Sequence, residues 1–141
     1  MWTQSCSKIY PGVTKEAVWK LWTDVNNWPR WDTELEYCQM QGAFAKDSQF
    51  ILKPVGGPKV KIILSEVVPY ETFTDYCTFF GATMHDYHHL EETPDGLRIT
   101  NTITVTGPLG LLWTHLVAKN VAKAVPRQMD ALAELAKASH D

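Results

Sequence analysis

Alternation of apolar and polar positions is plainest late in the chain, where Leu97, Ile99, Asn101, Ile103 and Val105 share one parity and Arg98, Thr100, Thr102, Thr104 and Thr106 the other. Successive strand residues point to opposite faces, so this segment predicts a strand with one buried and one wet side. Short runs of strand character at 34–41, 48–53, 59–69, 72–80, 83–92 and 97–107 are separated by turn formers: Gly42, Pro54-Val55-Gly56-Gly57-Pro58, Pro69-Tyr70 and Pro94-Asp95-Gly96. Strands joined this way form antiparallel hairpins in a meander. Residues 2–10 read as one further strand, stopped by Pro11-Gly12.

Two segments switch to a helical period. Ala17, Val18, Leu21, Trp22 and Val25 recur at helical spacing behind Thr14, a suitable N-cap, and the turn formers of 26–32 end the run. Gly107-Pro108-Leu109-Gly110 then opens a long helix to about residue 138. Its charged residues His115, Lys119, Lys123, Arg127, Asp130, Glu134 and Lys137 step by three or four, leaving Trp113, Leu116, Val117, Val121, Ala124, Val125, Met129, Leu132 and Ala136 to cover something apolar. Pro126 inside it predicts a kink. Strand, short helix, about six more strands and a long C-terminal helix make an α+β chain with an antiparallel sheet, and its 141 residues are the size of one domain over 1–141.

Composition narrows the partners. A net charge of −3 supplies no basic field for a phosphate backbone, so no nucleic acid is expected. Cys6, Cys38 and Cys77 are odd in number and far apart, which argues against a disulfide framework and for a reducing compartment. No apolar run approaches the roughly 18 residues of a membrane span, and the first residues lack a signal-peptide layout; the cytoplasm is the expected location, without integral membrane association.

Four of the six tryptophans fall within Val18-Trp19-Lys20-Leu21-Trp22-Thr23-Asp24-Val25-Asn26-Asn27-Trp28-Pro29-Arg30-Trp31-Asp32. Trp19 and Trp22 lie on the helical pattern, whereas Trp28 and Trp31 bracket a proline that ends it, so a helix runs into a tight aromatic turn. The pattern V-W-x-x-x-x-D-x-x-x-W-P-x-W resembles the START-like polyketide cyclase/dehydrase and lipid-transport proteins of the SRPBCC superfamily. His88-His89-Leu90-Glu91, Gly96-Leu97-Arg98-Ile99-Thr100 and the Gly-Pro-Leu-Gly helix entry are similar to that family's segments as well. The resemblance implies a helix-grip fold, a curved antiparallel sheet of six or seven strands wrapped around the C-terminal helix. It also implies a hydrophobic small-molecule ligand in a cavity between the two, with Trp22 facing the core and Trp28 and Trp31 near the cavity mouth. The family has no universal catalytic residue and implies no cofactor.

Met84-His85-Asp86-Tyr87-His88-His89-Leu90-Glu91 concentrates titratable groups, and hairpin register decides where they point. A two-residue Pro94-Asp95 tip sets Leu90 opposite Ile99, His88 opposite Asn101 and Asp86 opposite Ile103. A three-residue tip with Gly96 in a bulge instead turns His85, Tyr87 and His89 inward. Burial of Leu90 favours the first. His88, Asn101 and Asp86 are then the candidate catalytic residues, able to orient a carbonyl or hydroxyl or to act as acid and base in a cyclisation or dehydration. The competing reading is a polar cluster that satisfies itself. No metal is expected from His85, His88 and His89, since strand residues three apart face opposite ways. No G-x-S-x-G elbow is present, and Gly56-Gly57 lacks the context of a phosphate loop.

Among the aromatic set Trp22, Trp28, Trp31, Phe44, Phe50, Phe73, Phe79, Tyr87 and Trp113, a packed core is the plain alternative to a cavity lining. With the resemblance, the expected ligand contacts are Trp22, Trp28, Trp31, Phe50, Phe79, Leu90, Ile103, Trp113, Leu116 and Asn120. Three functions follow for testing: a binder of a lipid, polyketide, quinone or similar molecule; a cyclase/dehydrase-type enzyme; and a regulatory module docking a protein through Lys119, Lys123 and Arg127. A homodimer is compatible with each.

Overall fold

The computed structural model describes residues 1–140. Its strands are β1 (Trp2–Tyr10), β2 (Leu35–Met40), β3 (Gln49–Pro54), β4 (Val60–Val68), β5 (Thr72–Phe79), β6 (Ala82–Thr93) and β7 (Gly96–Thr106). They form one antiparallel sheet in the order β1-β7-β6-β5-β4-β3-β2, the expected meander with β1 returning to pair with the last strand. The helices are α1 (Lys15–Thr23), a 3₁₀ segment at Val25–Arg30, the short α2 (Gly110–Trp113) and the long α3 (Lys119–His140). Seven strands gripping a long C-terminal helix give the helix-grip, α+β fold.

Each element forms for a local reason. The Thr14 hydroxyl accepts the Ala17 N–H at 3.2 Å and starts α1. Gly96 and Gly107 bound β7 with positive φ of 141° and 110°. A Cβ at Gly96 would stand 2.5 Å from the Tyr10 carbonyl oxygen, and one at Gly107 2.6 Å from that of Gly81, so both strand ends are closed to side chains. Thr3, Ser5 and Ser7 of β1 bond Thr104, Thr102 and Thr100 of β7 through their hydroxyls, a polar ladder on the wet face. The opposite face carries the core, in which Leu97, Ile99, Ile103 and Val105 are buried beside Leu64 and Phe73.

The register between β6 and β7 is that of the two-residue tip: Leu90 pairs with Ile99, His88 with Asn101 and Asp86 with Ile103. His85, Tyr87 and His89 therefore take the outer parity. The C-terminal helix continues through Pro126, and an irregularity lies earlier, in a π-type turn at Thr114–Ala118 between α2 and α3. Such a turn accommodates an extra residue and rotates the face of everything that precedes it. No helix among the described residues is long and apolar enough to cross a membrane.

Candidate functional site

The aromatic turn closes one end of the sheet. The Trp28 indole N–H donates to the Trp22 carbonyl at 3.0 Å, which fixes the chain where α1 gives way to the 3₁₀ segment. Trp22 packs edge-on against Phe73 at 5.0 Å, and Trp28 against Phe50 at 5.2 Å. Trp22 and Trp28 are both buried, and Trp31 is half-buried. Trp28 thus lies deeper than a mouth position, because its indole is drawn to the Trp22 carbonyl.

Between this turn, the inner faces of β3 to β7 and α3 lies a cavity of about 320 Å³. Its walls are apolar: Phe50, Leu52, Ile62, Phe79, Met84 and Ile99 from the sheet, and Val121, Val125, Met129 and Leu132 from α3. The lining also includes the half-buried Trp31 and Pro54, the exposed Glu34 and Pro58, and the buried Asp32. The Arg127 guanidinium reaches across from α3 to Glu34 at 3.1 Å.

The inner polar groups come from three adjacent strands. Asp75 of β5 is directly paired with Asp86 of β6, and His88 of β6 with Asn101 of β7. The Asn101 amide Nδ2 donates to Asp86 Oδ1 at 2.8 Å, and His88 Nε2 stands 3.5 Å from the same oxygen. His88 Nδ1 is 3.2 Å from the Phe73 carbonyl, which can only accept, so the neutral ring carries its proton on Nδ1. The imidazole stacks on Phe73 at 3.8 Å, nearly parallel.

Burial governs the charges. It pushes the Asp75 carboxyl well above the ordinary carboxylate range, and the neighbouring Asp86 pushes further the same way. Burial also raises Asp86, opposed by His88 and by the Asn101 hydrogen bond, and it lowers His88 despite the attraction of Asp86. Elsewhere in the lining, burial lifts Asp32 to about 6 against the Glu34 backbone N–H, which its Oδ1 accepts at 3.1 Å. One oxygen each from Asp75 and Asp86 and one His88 nitrogen lie within 4.8 Å of one another, close enough to surround a single cation.

Of the expected residues, His88, Asn101, Asp86, Trp22, Trp28, Trp31, Phe50 and Phe79 border the cavity. Leu90 and Ile103 are buried in packed core beside it. Trp113 stacks on Phe79 at 4.6 Å and donates its indole N–H to the Phe80 carbonyl at 2.7 Å, outside the lining. Leu116 and Asn120 are exposed. The cavity stripe runs through Val117, Val121 and Val125, positions that the helical period had already assigned to the apolar face. The sequence reading missed Asp75, although Phe73, Asp75, Cys77 and Phe79 share one parity of β5 and a lone carboxyl in an apolar face is a legible signal. Lys119, Lys123 and Arg127 are exposed, and Arg127 is engaged with Glu34.

Comparison with solved structures places the fold among proteins of 11–18% identity. Protein MLL2253 from Mesorhizobium loti superposes with a TM-score of 0.74 at 14% identity over 95% of this chain and 96% of its own. TTHA0849 from Thermus thermophilus gives 0.73 at 18%, over 99% and 100%. Ara h 8.0201 gives 0.73 at 11%, over 96% and 98%. A comparison with curated protein sequences returned no match. The family model described as polyketide cyclase / dehydrase and lipid transport matches residues 7–137. Nearly the whole described chain, from β1 to the end of α3, is therefore that of a member of the polyketide cyclase/dehydrase and lipid-transport family.

Proposed function

We propose that this protein binds a hydrophobic or aromatic small molecule in the cavity between sheet and α3, with the molecule's polar end against Asp75, Asp86, His88 and Asn101. The observation that carries the reading is the combination of an apolar cavity of about 320 Å³ with polar groups gathered at one end. Ligand sites of small molecules have this layout, apolar walls for affinity and a few placed polar atoms for orientation. Membership of a family described by lipid transport and polyketide chemistry supports it. The free thiols of Cys6, Cys38 and Cys77 suit a reducing location such as the cytoplasm.

Saturable quenching of tryptophan emission is expected on titration with polyaromatic and lipid probes, because Trp22, Trp28 and Trp31 border the cavity. The melting temperature should rise as the probe exceeds its dissociation constant. Unchanged emission and melting across a broad panel would reject the reading.

A second reading, catalysis of the cyclase/dehydrase type, is favoured by one observation: His88 Nε2 is a free base facing a buried carboxyl. His88 would act as acid and base, with Asp86 and Asn101 positioning it. Turnover lost in His88→Ala with binding kept supports this reading; equal loss of both makes His88 a packing residue.

A further inference from the structure

The polar end of the cavity is rich in acceptors and poor in donors. Asp75 is 8% exposed, borders the cavity and makes no side-chain hydrogen bond to any described residue. The Asn101 amide N–H is already committed to Asp86, and its carbonyl oxygen is buried without a partner. His88 has spent its N–H on the Phe73 carbonyl, leaving Nε2 as an acceptor beside Asp86. Beyond the one proton that the carboxyl pair holds, the cluster offers acceptors in excess, and a group that completes it brings donors.

Charge points the same way. The charged side chains bordering the cavity are Asp32, Glu34, Asp75 and Asp86, and no lysine or arginine is among the described residues that line it. Glu34 has Arg127 as its counter-ion and Asp86 has only His88, whose ring burial keeps from charging, whereas Asp75 has none. Trp22 and Phe73 line the cavity beside the cluster, Trp22 at a steep angle to the His88 ring and Phe73 stacked on it. Three acceptors arranged tetrahedrally about one nitrogen at hydrogen-bond distance are about 4.6 Å apart. The acceptor atoms of Asp75, Asp86 and His88 all lie within 4.8 Å of one another.

We propose that the ligand is a hydrophobic amine, bound as its cation with the ammonium group seated among Asp75, Asp86 and His88 and the apolar body along the cavity. This rests on the cavity-binding reading and narrows it, since a fatty-acid carboxylate would find no lysine or arginine in the lining and at most the single proton of the carboxyl pair to accept. Seating the ammonium requires a carboxylate, so the carboxyl that burial keeps protonated in the empty cavity releases its proton to solvent on binding.

Three matched probes test it: 2-(1-naphthyl)ethylamine, 2-(1-naphthyl)ethanol and 1-naphthylacetic acid, followed by tryptophan quenching and calorimetry at pH 7. The amine should bind about tenfold or more tightly than the alcohol, and the acid more weakly than either. Calorimetry in buffers of different ionisation heat should show a proton released with the amine and none with the alcohol. Asp75→Asn should bring the amine-to-alcohol affinity ratio from about tenfold down toward one, a selective change that a misfolded variant, which loses both probes together, does not give. Asp86→Asn should act in the same direction. An alcohol that binds as tightly as the amine, or an amine affinity unchanged in both variants, overturns the amine while leaving the cavity reading intact. Failure of the amine to bind while other polyaromatic or lipid probes do overturns the amine alone, and failure of all three together with the broad panel overturns both readings. Zinc chloride that raises the melting temperature in wild type but not in Asp75→Asn, with no preference for the amine, overturns it in favour of a metal.

Discussion

Asp75 and Asp86 face each other as directly paired residues of β5 and β6, two carboxyls on the inner face of the sheet with His88 and Asn101 on one side and apolar positions on the other. Two buried carboxyls side by side cannot both ionise cheaply, so at least one holds its proton far above the usual range. The folded-state value is raised, so the folded chain binds more protons than the unfolded one, and stability falls as pH rises from the ordinary 3.8 upward. Asp75→Asn removes that penalty. The variant should match or exceed wild-type stability at neutral pH, with a melting-temperature advantage that grows from pH 4 to pH 8. Parallel curves of melting temperature against pH would show that the pair carries no such penalty. Asp32, raised to about 6 by its burial, and Asp86, also raised by burial, contribute remaining slope of the same sign, and His88 contributes slope of the opposite sign below 6.5.

His88 titrates with the opposite sign. Burial holds its folded-state value below the ordinary 6.5, so the unfolded chain takes up the proton first, and the stability of the neutral ring is lost as pH falls below 6.5. In an NMR titration its ring signals should keep neutral positions through pH 6.5 and move only under more acidic conditions. A midpoint at or above 6.5 would mean that Asp86 outweighs burial. His88→Phe keeps a flat ring on Phe73 and should be less sensitive to mild acid than wild type, at the expense of the Phe73 carbonyl's hydrogen bond, about 1 kcal/mol.

At the β1 edge of the sheet's inner face, α3 is tied to β1 by Asp130, which accepts from the Tyr10 hydroxyl at 2.6 Å and pairs with Lys8 at 3.0 Å. Tyr10 is half-buried, whereas the Asp130 side chain is 55% exposed. Solvent screening limits the contribution, so Asp130→Ala should cost about 1 kcal/mol or less. Arg127→Ala, at a still more exposed pair, should lie within about 0.5 kcal/mol of wild type. Chemical denaturation measures both, and a loss well above 1 kcal/mol in either would show that the pair anchors the helix rather than decorating it.

Much of this arrangement was legible from period and punctuation. The parity of Leu97 to Val105 set the inner face of β7, and burial of Leu90 was enough to choose the register that brings His88 to Asn101. Thr14 and Pro11-Gly12 marked the start of α1 because capping and turn chemistry are local. The inner stripe of α3 was legible too, for Val117, Val121 and Val125 fall on the apolar period; Leu116 and Asn120, one residue round the helix, are exposed instead of meeting the cavity. Asp75, by contrast, was passed over. Its meaning depends on Asp86 lying directly opposite, a pairing between β5 and β6 that the eye does not weigh when it reads one strand at a time.

The Trp28 indole, finally, links the aromatic turn to the cavity wall, and two substitutions separate its polar from its apolar contribution. Trp28→Phe deletes the donor to the Trp22 carbonyl and part of the ring, leaving a contact with Phe50. The freed carbonyl lies in a buried environment, so the loss should be about 1–3 kcal/mol. Trp28→Ala also opens a void next to an existing cavity, which the surroundings cannot fill, and should cost about 3–5 kcal/mol. Denaturant midpoints would rank the two. If Trp28→Phe proves as damaging as Trp28→Ala, the hydrogen bond that turns α1 into the 3₁₀ segment dominates. A neutral Trp28→Phe would mean that the ring's packing against Phe50 holds the turn by itself.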